Sequence, residues 1–237
     1  LGAQRGADRG TAPDDVMPKK RNLRIVVEYD GTRYFGWQLQ KDKPTIQGEL
    51  QRAVEEICGR KTLVVGAGRT DAGVHAEGQV GNFHTASPVP ARKWAEAMNA
   101  HLPPDVVVRT AEDVPLEFHA QFAATSKIYR YRVVNRPVRS ALDRDFTYLV
   151  KAPLDVDKMA QAAKHLVGTM DFRSFGSEMS KKEKTVRTIL SFDVARAGDR
   201  IKRCQPSVNL AGLPKSLAFS RASDRAQSRR RFQKSRG

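Results

Sequence analysis

Segments with the pattern of β-strands and segments with the pattern of α-helices alternate along this chain, and the alternation repeats in two similar halves. The strand candidates are short β-branched and apolar runs that end at turn signals, as residues 23–29 end at Asp30-Gly31. The helix candidates have apolar residues at helical spacing behind a capping residue, which is Thr45 in the first half and Asp155 in the second. This order predicts an α+β fold of two small units, each an antiparallel-rich sheet with helices on one face.

The individual elements follow from the same local rules. Strands are predicted at residues 23–29, 62–65, 79–84, 106–108, 127–135 and 185–194. Helices are predicted after Thr45 with a stop at Gly59, over 92–101, and after Asp155 through Leu166 with a stop at Gly168.

The net charge of the chain indicates the kind of molecule that it binds. The 237 residues carry a formal net charge of +16, and ten Lys or Arg against one Asp lie in residues 201–237. Such an excess favours a polyanion, because each neutralised phosphate releases counterions. Two distant cysteines, Cys58 and Cys204, form no disulfide framework, and no apolar run approaches the roughly 18 residues of a membrane span. We therefore expect a cytoplasmic protein with no membrane partner.

The predicted organisation has four parts. Residues 1–21 form an extension that we expect to be disordered, with Met17 as the natural start. A first half at 22–115 is followed by a second half at 116–200. Residues 201–237 are an atypical basic tail with little apolar pattern, which we interpret as disordered or as the product of a reading-frame shift.

The segment GAGRTDAGVHA at 66–76 carries the candidate chemistry. Its three glycines in eight positions suit a backbone that turns sharply or that a ligand approaches closely. Asp71 is a candidate catalytic carboxylate, and Arg69 lies two residues before it. Two other interpretations stay open: Asp71 forms a turn by bonding its own backbone, and Arg69 is an exposed partner of little energetic value.

This segment resembles the catalytic loop of the TruA family of tRNA pseudouridine synthases, and other segments match that family in order. They are YDGT at 29–32, YFGWQ at 34–38, PTIQGEL at 44–50, FHA at 118–120, KIYRY at 127–131, DFRSF at 171–175 and TVRTI at 185–189. The resemblance covers roughly residues 22–200.

The resemblance implies two ferredoxin-like halves around a central basic cleft and a homodimer that grips one tRNA. It implies conversion of uridine to pseudouridine in the anticodon stem-loop, with no cofactor and no metal. Asp71 corresponds to the family's essential aspartate, which acts as nucleophile at the ribose C1′ or as the base that removes the 2′ proton. Tyr129 corresponds to the tyrosine placed against the target base, and Arg69 would bind the substrate and favour the charged form of Asp71.

Several alternatives remain beside this assignment. Arg69 could form a structural ion pair only, and Tyr129 could be a core strand residue beside Tyr131. Because the family pattern stops near Ile201, the chain could be a catalytically impaired RNA-binding homologue that lacks the C-terminal pocket segment. A metal-dependent nuclease built from Asp71, His75 and His84 is a third class, which a chelator would inactivate.

Overall fold

The protein contains two β-sheets with helices, as described by a computed structural model over residues 19–175 and 185–209. Its strands are β1 (Arg21–Tyr29), β2 (Val65–Gly66), β3 (Ala76–Thr85), β4 (Val106–Val114), β5 (Ser126–Ile128), β6 (Tyr131–Asn135), β7 (Tyr148–Val150), β8 (Gly168–Asp171), β9 (Val186–Asp193), β10 (Arg196–Ala197) and β11 (Arg200–Asn209). Its helices are α1 (Ile46–Cys58), α2 (Ala91–Asn99), α3 (Ala120–Ala123) and α4 (Val156–Lys164), with a 3-10 turn at Arg173–Phe175.

The first sheet has the order β2-β3-β1-β4, and every pair in it is antiparallel. Alternate residues of β1 are fully buried at Leu23, Ile25 and Val27, as a strand with one covered face requires. They share one apolar core with buried residues of α1 and α2, among them Leu50 and Trp94. Both helices therefore pack on the same face of the sheet.

The second sheet has the order β7-β6-β11-β9-β8, and β5 and β10 also pair with β11. All of its pairs are antiparallel except β6 with β7. The prediction of an α+β fold with antiparallel-rich sheets is therefore confirmed for the described residues.

Strand β11 corrects the expectation of disorder for the first part of the basic tail, residues 201–209. It pairs with β5, β6 and β9, so the start of the basic tail is the central strand of the second sheet. The composition of 202–209 concealed this strand, because a central strand flanked by partners is specified by its pairing as well as by its own propensity. The remainder of the tail, residues 210–237, and residues 1–18 of the expected 1–21 extension, with Met17, lie outside the described residues. The expectation of disorder up to residue 21 is wrong at Arg21, which is the first residue of β1.

The capping predictions are confirmed at two helices. The Oγ1 of Thr45 accepts a hydrogen bond of 3.3 Å from the backbone N–H of Gly48, and Gly59 ends α1 with φ 66°. The Asp155 carboxylate likewise accepts a hydrogen bond of 3.0 Å from the N–H of Lys158 at the start of α4.

Several predicted boundaries are wrong, and α2 ends at Asn99 rather than at residue 101. Helix α4 ends at Lys164, two residues before Leu166. In the run 62–65 only Val65 belongs to a strand. The predicted strand 127–135 is interrupted, because Tyr129 and Arg130 lie between β5 and β6.

Candidate active site

The segment between β2 and β3, residues 67–75, is the loop that carries Asp71, and it is tied to the turn that follows β1. The N–H of Trp37 donates to the carbonyl of Thr70 at 3.0 Å, and the N–H of Gly73 donates to the carbonyl of Tyr34 at 3.2 Å. The hydroxyls of Tyr29 and Thr70 also lie 2.9 Å apart. These bonds fix the backbone on both sides of Asp71, so the carboxylate projects from a rigid support.

Two glycines of that turn allow the close approach. Gly36 has φ 87°, and a Cβ on it would collide with the carbonyl oxygen of Thr70 and lie 3.0 Å from the carbonyl carbon of Asp71. A Cβ on Gly31 would collide with the carbonyl oxygen of Val74. The segments 29–32 and 34–38, distant in sequence from the Asp71 loop, are therefore its cradle.

The Asp71 side chain is partly buried, and its Oδ2 atom is buried with no hydrogen-bond partner among the described residues. Arg69 is exposed and takes part in none of the ion pairs found within 19–175 and 185–209. The two side chains thus form no ion pair. A buried acceptor without a partner is costly to the fold, and native structures that keep one commonly do so for a catalytic or other functional reason.

The second sheet brings Tyr129 to this loop. Burial raises the pKa of the Tyr129 phenol, the neighbouring Tyr131 and the charge of Asp71 raise it further, and Arg187 opposes the rise. Tyr129 therefore lies within electrostatic reach of both Asp71 and Arg187. The interruption between β5 and β6 places Tyr129 outside the regular strands, where it is half-buried.

Further contacts join the Asp71 loop and the start of β3 to the second half of the chain. The carboxylate of Glu77 pairs with Arg130 at 2.6 Å and with Arg132 at 2.7 Å. The His75 ring stacks on Phe146 with its centroid 4.5 Å away. These contacts hold the loop against the elements that supply Tyr129.

The two histidines considered as metal ligands have other partners. The Nδ1 of His75 lies 3.0 Å from the Asp30 carboxylate, and its Nε2 lies 3.0 Å from the carbonyl oxygen of Asp145. The Nε2 of His84 lies 3.0 Å from the carbonyl oxygen of Leu116. Over the part of the chain that the structure describes, His, Cys, Asp and Glu form no cluster of three with metal-binding geometry.

Sequence reasoning gave no role to two cations near the loop. Arg187 acts on Tyr129 electrostatically, and the side chain of Lys127 lies over Gly68. Both residues belong to segments that carry the family resemblance, TVRTI and KIYRY, so membership in those segments was the available signal.

Comparison with known proteins shows which class of protein the chain resembles in sequence. A sequence model described as tRNA pseudouridine synthase matches residues 25–123 and 162–213. A protein of Clostridium tetani named tRNA pseudouridine synthase A 2 is 43% identical over 184 residues, which are 77% of this chain and 74% of that protein. The tRNA pseudouridine synthase A of Brevibacillus brevis is 45% identical over 181 residues, which are 76% of this chain and 74% of that protein.

A two-sheet α+β protein with these similarities is an RNA-modifying isomerase. The chain belongs to the tRNA pseudouridine synthase family, and it is an enzyme that isomerises uridine to pseudouridine in tRNA. The match to residue 213 also extends the similarity past the limit near 200 that the sequence motifs indicated. Among the described helices, none has the length and apolarity needed to cross a bilayer.

Proposed function

We propose that the enzyme acts on uridines of the tRNA anticodon stem-loop and that Asp71 performs the chemistry at the ribose. The observation that carries this proposal is the unpaired, buried Oδ2 of Asp71, held on a rigid loop within electrostatic reach of Tyr129. A carboxylate without a protein partner is free to act on a substrate atom.

The reaction is an isomerisation that needs no redox partner. The bond from the ribose C1′ to N1 of uracil breaks, the base turns, and a bond forms from C1′ to C5. The proton on C5 leaves and N1 gains a proton, so the atoms balance. Asp71 acts either as the nucleophile at C1′ or as the base that removes the 2′ proton, and both roles require the ionised carboxylate.

Tyr129 is proposed to lie against the target base. Its aromatic face can stack on a uracil that has left the RNA helix. Burial raises the pKa of its phenol, so the hydroxyl is protonated at neutral pH. Its oxygen can take up the C5 proton only as the hydroxyl passes its own proton to a water molecule, and that water can supply the proton that N1 gains.

Arg69 is proposed to bind the RNA backbone rather than to pair with Asp71. Its side chain is exposed, and no carboxylate among the described residues is its partner. A guanidinium in this position matches the bidentate geometry of a phosphate.

The wider architecture is proposed to be two ferredoxin-like halves around a basic cleft, the first at 22–115 and the second from residue 116 through β11, past the expected limit at 200. In the first half, support comes from the element order β1-α1-β2-β3-α2-β4 and the antiparallel sheet order β2-β3-β1-β4. We further propose that a homodimer holds one tRNA and that the enzyme works in the cytoplasm without a cofactor.

The substrate proposal is tested with unmodified tRNA transcripts in which the anticodon stem-loop uridines are replaced by cytidine. A transcript that keeps only those uridines should form pseudouridine, whereas the transcript that lacks them should form none. Modification in another stem-loop would overturn the choice of site. A chelator-treated sample should be unchanged, whereas cleaved tRNA that disappears with chelator would support the nuclease class, and binding without conversion would support the impaired homologue.

A further inference from the structure

The ammonium of Lys127 is seated directly on the backbone of the Asp71 loop. A Cβ added to Gly68 would collide with Nζ of Lys127 and would lie 2.7 Å from its Cε. The side-chain amide of Gln79 donates a hydrogen bond to the carbonyl of Gly68 and holds this part of the loop in place. Gly68 has no positive φ, so the space that it leaves for Lys127 is what distinguishes glycine from alanine at this position.

The charge of Lys127 has no counterpart in the described protein. Its Nζ takes part in no ion pair or hydrogen bond within residues 19–175 and 185–209, whereas the nearby Arg130 and Arg132 both pair with Glu77. The side chain is half-buried, and burial lowers the pKa of its ammonium. Desolvating a cation without an anion disfavours folding, so the position costs stability unless a ligand supplies the anion.

The location identifies the anion. Lys127 touches the loop three residues before Asp71 and precedes Tyr129 by two residues. A nucleotide with its ribose at Asp71 and its base at Tyr129 carries a phosphate on each side, and these are the anionic groups of the substrate. We infer that Lys127 binds a backbone phosphate next to the target uridine and so positions its ribose against Asp71, an inference that rests on the proposed function.

The test measures the salt dependence of tRNA binding at equilibrium. All proteins carry Asp71→Asn so that no conversion occurs, and each then adds Lys127→Met, Gly68→Ala or both. Loss of one phosphate contact should reduce the slope of log affinity against log salt by about 0.7 to 0.9. Lys127→Met removes the charge, whereas Gly68→Ala displaces the ammonium and keeps its charge. Because both substitutions act on the same contact, the double variant should bind like Lys127→Met.

Two matched controls separate this effect from general changes. Lys93→Met removes a cation that is paired with Glu96 at 2.8 Å on α2, and Gly78→Ala adds a Cβ whose nearest neighbour is Val26 Cγ1 at 3.9 Å. Neither control should change the slope. An unchanged slope in Lys127→Met, or an equal change in Lys93→Met, would overturn the inference.

Stability provides the readout that a purely structural lysine would not give. Lys127→Met should raise the thermal midpoint of the free protein or leave it unchanged, because it removes a desolvated charge. A lower midpoint together with an unchanged salt slope would assign Lys127 to the fold instead. Absence of pseudouridine with the wild-type chain would refute the proposed function but would leave the salt slope as an independent result.

Discussion

Gly36 and Thr70 are in contact through their backbones, with the α-carbon of Gly36 against the carbonyl oxygen of Thr70 and a φ of 87° at the glycine. Alanine at position 36 would be destabilising for two reasons. The left-handed conformation costs about 1–2 kcal/mol, and the new Cβ pushes the Asp71 loop away. We therefore expect Gly36→Ala to lower both the free energy of unfolding and the rate of pseudouridine formation.

Gly59→Ala is the matched control for that variant. Gly59 has φ 66°, but a Cβ on it would meet nothing within 4 Å. The Gly59→Ala variant should lose about 1 kcal/mol of stability from the backbone strain alone. Its conversion rate should equal that of the wild type under conditions in which both proteins are fully folded. Equal loss of activity in the two variants, measured in chemical denaturation and single-turnover assays, would contradict the role of the cradle.

Tyr129→Phe separates stacking on the base from proton transfer. The variant keeps the aromatic ring and should retain tRNA affinity, whereas removal of the hydroxyl should slow conversion by about 100-fold or more if it transfers a proton. Single-turnover rates at saturating enzyme, beside binding constants for the same tRNA, make this measurement. A full rate in Tyr129→Phe would limit Tyr129 to stacking.

The pH dependence of the rate gives a second measurement on Tyr129. Because the folded pKa of the phenol is raised above its ordinary value of 10.0, the neutral form persists to higher pH than in a free tyrosine. The wild-type enzyme should therefore show no loss of rate from phenolate formation below about pH 10. A decline at lower pH that disappears in Tyr129→Phe would contradict the buried position of the hydroxyl.

Asp30, in the segment 29–32 beside the Asp71 loop, makes the stability of the fold depend on pH in the acid range. Burial alone would raise the pKa of its carboxyl, but hydrogen bonds from Thr32 and the nearby His75 outweigh burial and hold the pKa below its ordinary value of 3.8. Stability from this group is present above the unfolded-state pKa and is lost as pH falls through the lower folded-state pKa.

The free energy of unfolding should therefore fall less steeply in Asp30→Asn than in the wild type as the pH is lowered below about 4. Denaturation curves at a series of pH values from roughly 6 to 2.5 would measure this difference. Parallel curves for the two proteins would show that Asp30 contributes nothing to acid sensitivity.

Local rules predicted the elements whose specification is local. Thr45, Gly59 and Asp155 act as caps because a cap depends on a few neighbouring backbone groups. The interruption at Tyr129 and the strand at 200–209 escaped prediction because partners that are distant in sequence determine both. Polar composition was therefore a poor guide to the central strand of the second sheet.

The candidate site divides in the same way. Asp71 was identifiable as an unusual residue of a glycine-rich loop, and the family resemblance alone connected it with Tyr129. The position of Lys127 on Gly68 depends on how the two halves pack. Spacing along the chain contains no information on such packing.

The variant Asp71→Asn tests whether the Asp71 carboxylate performs the chemistry at the ribose. Release of tritium from uridine labelled at C5 in a tRNA transcript measures the loss of the C5 proton, with binding of the same transcript measured in parallel. We expect tritium release at least about 1,000-fold slower than in the wild type, with folding and tRNA affinity retained. Release at the wild-type rate by a folded Asp71→Asn protein would contradict this role of Asp71.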